Sequence, residues 1–515
     1  MSVVANHVRA PRASWSIADA IASPRAFWLI LALYIVTHIA LRLWETPLIA
    51  KNDVQEAVSA QVWAWGYHPR NPPLHTWLLM SAYSVFGIRV VAHVVLKYAL
   101  LAATYGFAYL CGRRVLSTPT LAAFSALSLI LVSPFAWTVH TALTHTLLLA
   151  ACVFATLWAA LRLTAQQRPV DYIVFGVTIA LGFLAKYSYG LFLVPLLGAM
   201  LSQRELRPAL LDPRALLALA TAAILSAPHA VWMATARFDF AAFLTEKQHA
   251  AVTQPYLFDV ASGAGSVVVG ALSFLAPFIL VFPLVFHRAF GAKAAPAQPW
   301  GRAITLLPLL GIGLLVLDVV ALRATQFEQR YFFWALLTAP LALFVWLDRR
   351  GYSEQQLRWF AASIVVGSAI VLGGLIGKSL LSHRSCDRCW EEMPVAELVR
   401  QVRTAGFVDG TIIADHYNLA GNMRLAFPDS RIMAANYVVP QPAFAGPGQC
   451  LVVWNARNAG DGPPASIVRY LAHANLALPA EAPRFVNAPM LRSRTRMDRF
   501  AYWVAPHADG ACHPR

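Results

Sequence analysis

The chain has 515 residues, of which 58% are hydrophobic and only 13% charged, with a mean hydropathy of +0.56. A soluble domain carries about a quarter charged residues, so this composition excludes an ordinary water-soluble globular fold. The net charge of +16 does not mark a nucleic-acid binder either, because the basic residues cluster in short connections such as CGRRVL, SQRELRPALLDPR, HRAFGAKA and LDRRGYSEQQLRW.

That distribution is the positive-inside bias of cytoplasmic loops. Long apolar runs between them approach the ~20 residues that cross a bilayer. The chain therefore reads as a polytopic α-helical membrane protein. Its N-terminus (Arg9, Arg12, Arg25) is basic and lacks the short apolar region and cleavage site of a removable signal peptide. It is expected to be a cytoplasmic tail in a bacterial inner membrane. A first span near 26–44 then puts a polar loop, about 45–87, on the periplasmic side. Further spans are expected near 88–110, 117–137 and 141–163.

The apolar block 172–201 has basic flanks at both ends and is too long for one ordinary span. Two legs of ~15 residues, at ~1.5 Å per residue, would each barely cross the hydrocarbon. The block predicts a hairpin of short or broken helices with its tip at AKYSYG (185–190). Lys186 sits in that tip, and a lysine at such a depth needs water or a partner. Spans near 214–234, 265–287, 303–322, 331–347 and 359–381 bring the total to about eleven. Residues 1–381 thus form the membrane domain.

From 382 to 515 the pattern becomes that of a soluble periplasmic α/β domain. PVAELVRQVRTAGF and NLAGNMRLAF read as helices, and TIIAD and CLVVWNA as buried strands. Cys386, Cys389, Cys450 and Cys512 fall in this part, where an oxidising compartment would allow disulfides. CDRC alone, without a second ligand pair at metal spacing, is weak support for a metal site.

The chemistry concentrates in the first loop. Asn52 is a suitable N-cap for a helix over DVQEAVSAQVWAW, which places Asp53 and Glu56 three apart on one face. An aspartate in the first turn is held ionised by the helix dipole. Such acids can accept a proton, bind sugar hydroxyls or ligate a cation, or can simply cap the helix. Pro72-Pro73 heads a second short helix, LHTWLL, containing His75. Arg237, Lys247 and Arg330 follow on the same side and suit an anionic headgroup through charge-assisted hydrogen bonds. The sequence assigns no certain cofactor. A divalent metal at Asp53 and Glu56 is conceivable, although hard cations usually take more oxygen ligands than these.

Asp53, Glu56 and NPPLHTWLL followed by FG resemble the first-loop signature of the family-39-type glycosyltransferases. These are the protein O-mannosyltransferases and bacterial lipid A aminoarabinose transferases, with the GT-C membrane fold. LGFLAKYSYGLFLVP, APHAVWMATARFDFAAF and FEQRYFFWALLTAP resemble later segments of that family in the same order, so the resemblance spans roughly 25–380. It implies sugar transfer from a polyprenyl-phosphate donor to a lipid, glycan or protein acceptor at the periplasmic face. Asp53 then corresponds to the catalytic aspartate and Glu56 to its acidic neighbour. Lys186 and Arg330 would contact donor phosphate, and Glu56, His75, His145, Tyr187, Arg237 and Tyr331 are expected in the same substrate-binding set. His145 stands where the family often carries aspartate; it can orient a hydroxyl or simply be a core histidine.

The implied mechanism needs no nucleotide, and the sequence has no glycine-rich phosphate loop. The rival from another class is a flippase or transporter of a lipid-linked sugar, which commonly shows internal repeats; none is evident between the halves. A third reading is a receptor or assembly factor that works through its periplasmic domain.

Overall fold

A computed structural model describes residues 24–236, 255–385, 390–442, 448–457, 462–473, 481–493 and 495–505. Seven of its helices are long and apolar enough to cross a membrane, and a bent pair, Gln329–Leu336 with Ala339–Asp348, makes up to eight. The first is α1 (Pro24–Glu45). Two short helices of the polar loop follow, α2 (Asn52–Ser59) and α3 (Leu74–Phe86). The bundle continues with α4 (Val90–Val115) and α5 (His145–Gln166). Most of the apolar stretch of α5 is buried, because α4 and the following helix pack on either side of it.

The long apolar block is indeed broken. It forms α6 (Pro169–Ala185) and α7 (Tyr189–Ser202), of 17 and 14 residues. At ~1.5 Å per residue both fall short of a ~30 Å hydrocarbon core. The break is at Lys186, whose backbone is extended (φ −165°, ψ 135°). Gly182 makes the turn possible: a Cβ there would lie 2.3 Å from the Tyr189 ring. Next comes α8 (Ala215–Thr235), which is mostly exposed at the bundle's edge. The count of about eleven spans is reached only by adding the shorter apolar helices Pro119–Leu131, α6 and α7 to the eight.

The basic connections meet one another at one end of the bundle. Ser117 donates to Asp348, Arg349 to the Ala295 carbonyl, Arg302 to Glu205, and Arg214 to the Gln167 carbonyl.

The C-terminal part is a five-stranded mixed sheet in the order β2-β1-β3-β5-β4. Its strands are β1 (Gly410–Ala414), β2 (Arg431–Ala434), β3 (Gln449–Asn455), β4 (Arg484–Pro489) and β5 (Met497–Ala505). β2, β1 and β3 are parallel, whereas β5 and β4 run antiparallel. All five residues of β1 are buried, as expected for a central strand covered on both faces. Helix α9 (Tyr417–Ala426) crosses from β1 to β2. The predicted helices and strands of this region are all present. Cys450 is disulfide-bonded, and Cys386, Cys389 and Cys512 lie outside the described residues.

This sheet is not a separate appendage. α9 packs directly on α2, where a Cβ on Gly421 would stand 2.7 Å from the Val54 backbone. Asn422 clamps Ile49, accepting from its N–H at 3.0 Å and donating to its carbonyl at 2.9 Å. Gln61 does the same to the outer edge of β2, with two 2.8 Å bonds to the Ile432 backbone. Leu48, Val58 and Tyr67 of the loop share one apolar core with Leu398, Leu419, Met423 and Phe500.

Candidate active site

Helix α2 starts differently from the sequence-based expectation. Lys51, not Asn52, occupies the cap, at φ 56° and without a side-chain cap bond; Asn52 is the first helical residue. The face carrying the two acids is turned inward, so Asp53 and Glu56 are only 6% and 4% exposed.

Asp53 is held from α4. Its Oδ2 accepts from Lys97 Nζ at 2.9 Å, and Oδ1 faces His93 Nδ1 at 3.8 Å. His93 Nε2 in turn lies 2.6 Å from the Tyr83 hydroxyl. Burial alone would push the Asp53 carboxyl up, but the Lys97 ammonium and His93 more than offset that and hold it well below the usual carboxylate range. The side chain is therefore an ionised carboxylate locked through Oδ2 by Lys97, with Oδ1 facing His93.

Glu56 points to a different set of partners. Oε1 is 2.8 Å from His145 Nε2, while Oε2 accepts from Thr76 at 2.8 Å and lies 3.1 Å from His75 Nδ1. Here too burial acts upward and is overcome, by His145 first and then His75, so the carboxyl lies well below its ordinary value. Glu56, His75 and His145 each present a donor atom within 4.8 Å of the others, a set able to hold a metal ion. Asp53, the partner considered for such an ion from sequence, is engaged by Lys97 instead.

The broken hairpin meets this centre at the N-terminus of α5. Lys186 Nζ donates to Thr146 Oγ1 at 2.6 Å, and His145 Nδ1 lies 3.3 Å from the Ala185 carbonyl. Tyr187 hydroxyl is 3.1 Å from His229 Nε2, and His229 Nδ1 donates to the Trp65 carbonyl at 2.7 Å. A carbonyl only accepts, so Nδ1 carries the proton of a neutral ring and Tyr187 donates to Nε2. Arg330 is an electrostatic neighbour of Lys186 but is itself paired with Glu328 at 2.9 Å and packs over the Tyr331 ring. Arg237 and Lys247 lie outside the described residues.

An apolar cavity of about 1100 Å³ runs between α6, α7 and α8. It ends at Tyr187 and His229 rather than enclosing Asp53. A second, much smaller polar cleft joins Asp53 and Lys97 to Arg42, Glu45, His140, Lys378 and Glu391.

The residues that sequence reading passed over are Lys97, His93, Thr76 and His229. A signal existed for the first two: His93 and Lys97 are four apart on one face of an otherwise apolar helix. Ionisable residues in such a place are functional or paired.

A broken-helix bundle, an acid-bearing loop and a mixed-sheet roof over that loop match the architecture that the resemblance to GT-C membrane glycosyltransferases leads one to expect. Comparison with known proteins agrees. Residues 70–232 match the family model described as dolichyl-phosphate-mannose-protein mannosyltransferase. Two lipopolysaccharide core galacturonosyltransferases of Rhizobium johnstonii are relatives. RgtB is 27% identical over 485 residues, 92% of this chain and 96% of that protein. RgtA is 29% identical over 439 residues, 83% and 86% respectively. The crystal structure of ArnT from Cupriavidus metallidurans bound to undecaprenyl phosphate superposes with a TM-score of 0.59 at 12% identity, covering 93% of this chain and 98% of that one. The chain is thus a polytopic GT-C glycosyltransferase homologous to the Rhizobium enzymes. That places it as an enzyme, against the transporter and receptor readings.

Proposed function

We propose that the protein transfers a hexuronic acid of the galacturonic type from a polyprenyl-phosphate donor to the lipopolysaccharide core at the periplasmic face of the inner membrane. The sugar and acceptor are those in the names of its relatives. The observation that carries the reading is the link from the acid-bearing helix to the hairpin break: Glu56 meets His145, whose Nδ1 lies against the Ala185 carbonyl next to Lys186, and the ionised Asp53 shares the inward face with Glu56.

Topology supports that orientation. The C-terminal sheet touches the first loop, so an even number of crossings must separate them. Eight spans in all would leave seven after the loop, which is odd. Counting the three shorter helices leaves ten, for eleven overall. The basic connections then gather on the cytoplasmic side, as the charge rule requires. On this assignment 1–381 is the membrane domain and 382–515 the periplasmic one.

The donor's prenyl chain enters the apolar cavity laterally, and its phosphate lies at the Lys186 break with Arg330 and Tyr331 beside it. Tyr187 and His229 mark the polar end of that cavity. Asp53 Oδ1 accepts the proton of the acceptor hydroxyl as its oxygen bonds to the anomeric carbon. The bond from that carbon to the phosphate oxygen breaks, and polyprenyl phosphate leaves with its charge matched by the cations. A direct displacement inverts the anomeric centre. Held ionised by Lys97, the carboxylate is a weak base, and it takes the proton as the hydroxyl oxygen bonds to the anomeric carbon and so becomes strongly acidic.

Mass spectrometry of lipopolysaccharide from a deletion strain tests the reading. Loss of a hexuronic acid from the core, restored by the gene, is expected; an unchanged core would overturn it.

A further inference from the structure

We propose that Glu56, His75 and His145 bind a divalent transition-metal ion of the zinc class next to Lys186. The argument begins with a proton. His145 Nδ1 lies 3.3 Å from the Ala185 carbonyl oxygen, which can only accept, so Nδ1 carries the ring hydrogen. In a neutral imidazole this leaves a lone pair on Nε2. Yet Nε2 faces Glu56 Oε1 at 2.8 Å, and the carboxylate is also an acceptor. Two acceptors in contact need a proton or a metal ion to bridge them. A metal ion bound by both atoms, with the pair opened slightly, would do so.

The rest of the constellation fits the same answer. Two histidines and a glutamate are a recurrent catalytic zinc set that leaves a fourth position open. The donor atoms lie within 4.8 Å of one another, and ligands about 2.0–2.1 Å from one tetrahedral ion stand ~3.3 Å apart. The 2.8 and 3.1 Å separations from Glu56 to His145 and His75 are within a few tenths of an ångström of that value, and the widest pair of the set, within 4.8 Å, would close by about 1.5 Å as the side chains turn onto the ion. The supporting bonds are also in place. A metal-bound histidine commonly donates its other N–H to a carbonyl, as His145 does to Ala185, and Thr76 donates to the ligating carboxylate. Nitrogen donors favour zinc, cobalt or nickel over magnesium and calcium.

All three side chains are buried, so the ion would be shielded from bulk water. Thr146, next to His145, accepts from Lys186, which brings that side chain to the residue beside one of the three ligands. The ion's use there rests on the transferase reading: ion and lysine together would neutralise the phosphate that leaves. Binding itself does not depend on that reading.

The alternative arrangement of the same atoms is a His145 imidazolium paired with Glu56, without metal. The full-length protein in detergent, stripped with chelator, is titrated with Co(II) and then Zn(II). The expected result is a saturable visible absorption band of tetrahedral intensity, displaced by Zn(II). His145→Ala and Glu56→Gln should abolish it, and Asp53→Asn should keep it. Elemental analysis of protein purified without chelator should find stoichiometric metal. Absence of both band and bound metal in the folded wild type overturns the proposal and leaves the ion pair. Because the readout uses no sugar substrate, an active but metal-free enzyme defeats only this inference. A metal-loaded protein that transfers no sugar defeats only the function.

Discussion

Replacing Lys97 by methionine isolates the ion pair that holds Asp53, the proposed base. The ammonium lies 2.9 Å from Asp53 Oδ2, with side chains 6% and 9% exposed. Removing one partner of a buried pair leaves an uncompensated charge and costs about 3–5 kcal/mol, whereas removing both is often near neutral. Lys97→Met alone should therefore destabilise the protein strongly, and the Lys97→Met/Asp53→Asn pair should recover most of the loss. The double-mutant cycle, read from unfolding in one detergent, should give a coupling of about 2 kcal/mol or more. The pH dependence gives an independent check. In the wild type the Asp53 carboxyl is held down, so its contribution is present above the ordinary carboxylate range and is lost as pH falls through its folded value. In Lys97→Met burial acts on Asp53 without its main opponent, so stability should instead improve as pH falls and the carboxyl protonates. A single variant within about 0.5 kcal/mol of wild type, or additive effects in the cycle, would refute the locked-carboxylate account.

Gly421→Val places a side chain where even a Cβ stands 2.7 Å from Val54, which should displace α2 at a cost of about 1–3 kcal/mol. Transfer rate should fall more than donor binding, measured by turnover and by a prenyl-phosphate binding assay. Lys186→Met removes a charge-assisted contact and should weaken donor affinity by ~10–100-fold, visible as a raised KM for donor but not for acceptor. Asp415 in the sheet domain has its carboxyl pushed up to about 6 by burial. The folded state then holds a proton that the unfolded state releases, so stability should fall as pH rises between about 4 and 6, by at most about 3 kcal/mol. Asp415→Asn should flatten that dependence and raise the melting temperature at pH 7.5.

Much of the fold was legible because its signals are local. Hydropathy marks the spans, and the overlong block 172–201 implies the break at Lys186 that the structure contains. Buried runs such as TIIA and CLVVWN read directly as strands β1 and β3. The site was legible in its acids but not in their environment. Asp53 and Glu56 share a face, yet one meets Lys97 and the other His75 and His145, from helices whose positions no local spacing specifies. Asn52 has the right chemistry for a cap, but the left-handed backbone at Lys51 shifts the start by one residue. The roof over α2 was invisible for the same reason: Asn422 grips Ile49 across 373 residues of sequence.

The central claim is that Asp53 takes part in sugar transfer from a lipid-linked donor. Its most direct test is turnover of labelled polyprenyl-phosphate galacturonic acid by the purified protein with lipopolysaccharide core as acceptor. Wild type should release polyprenyl phosphate in step with labelled core, and Asp53→Asn should bind the donor normally while losing both products. Near-normal turnover by that variant would contradict the account.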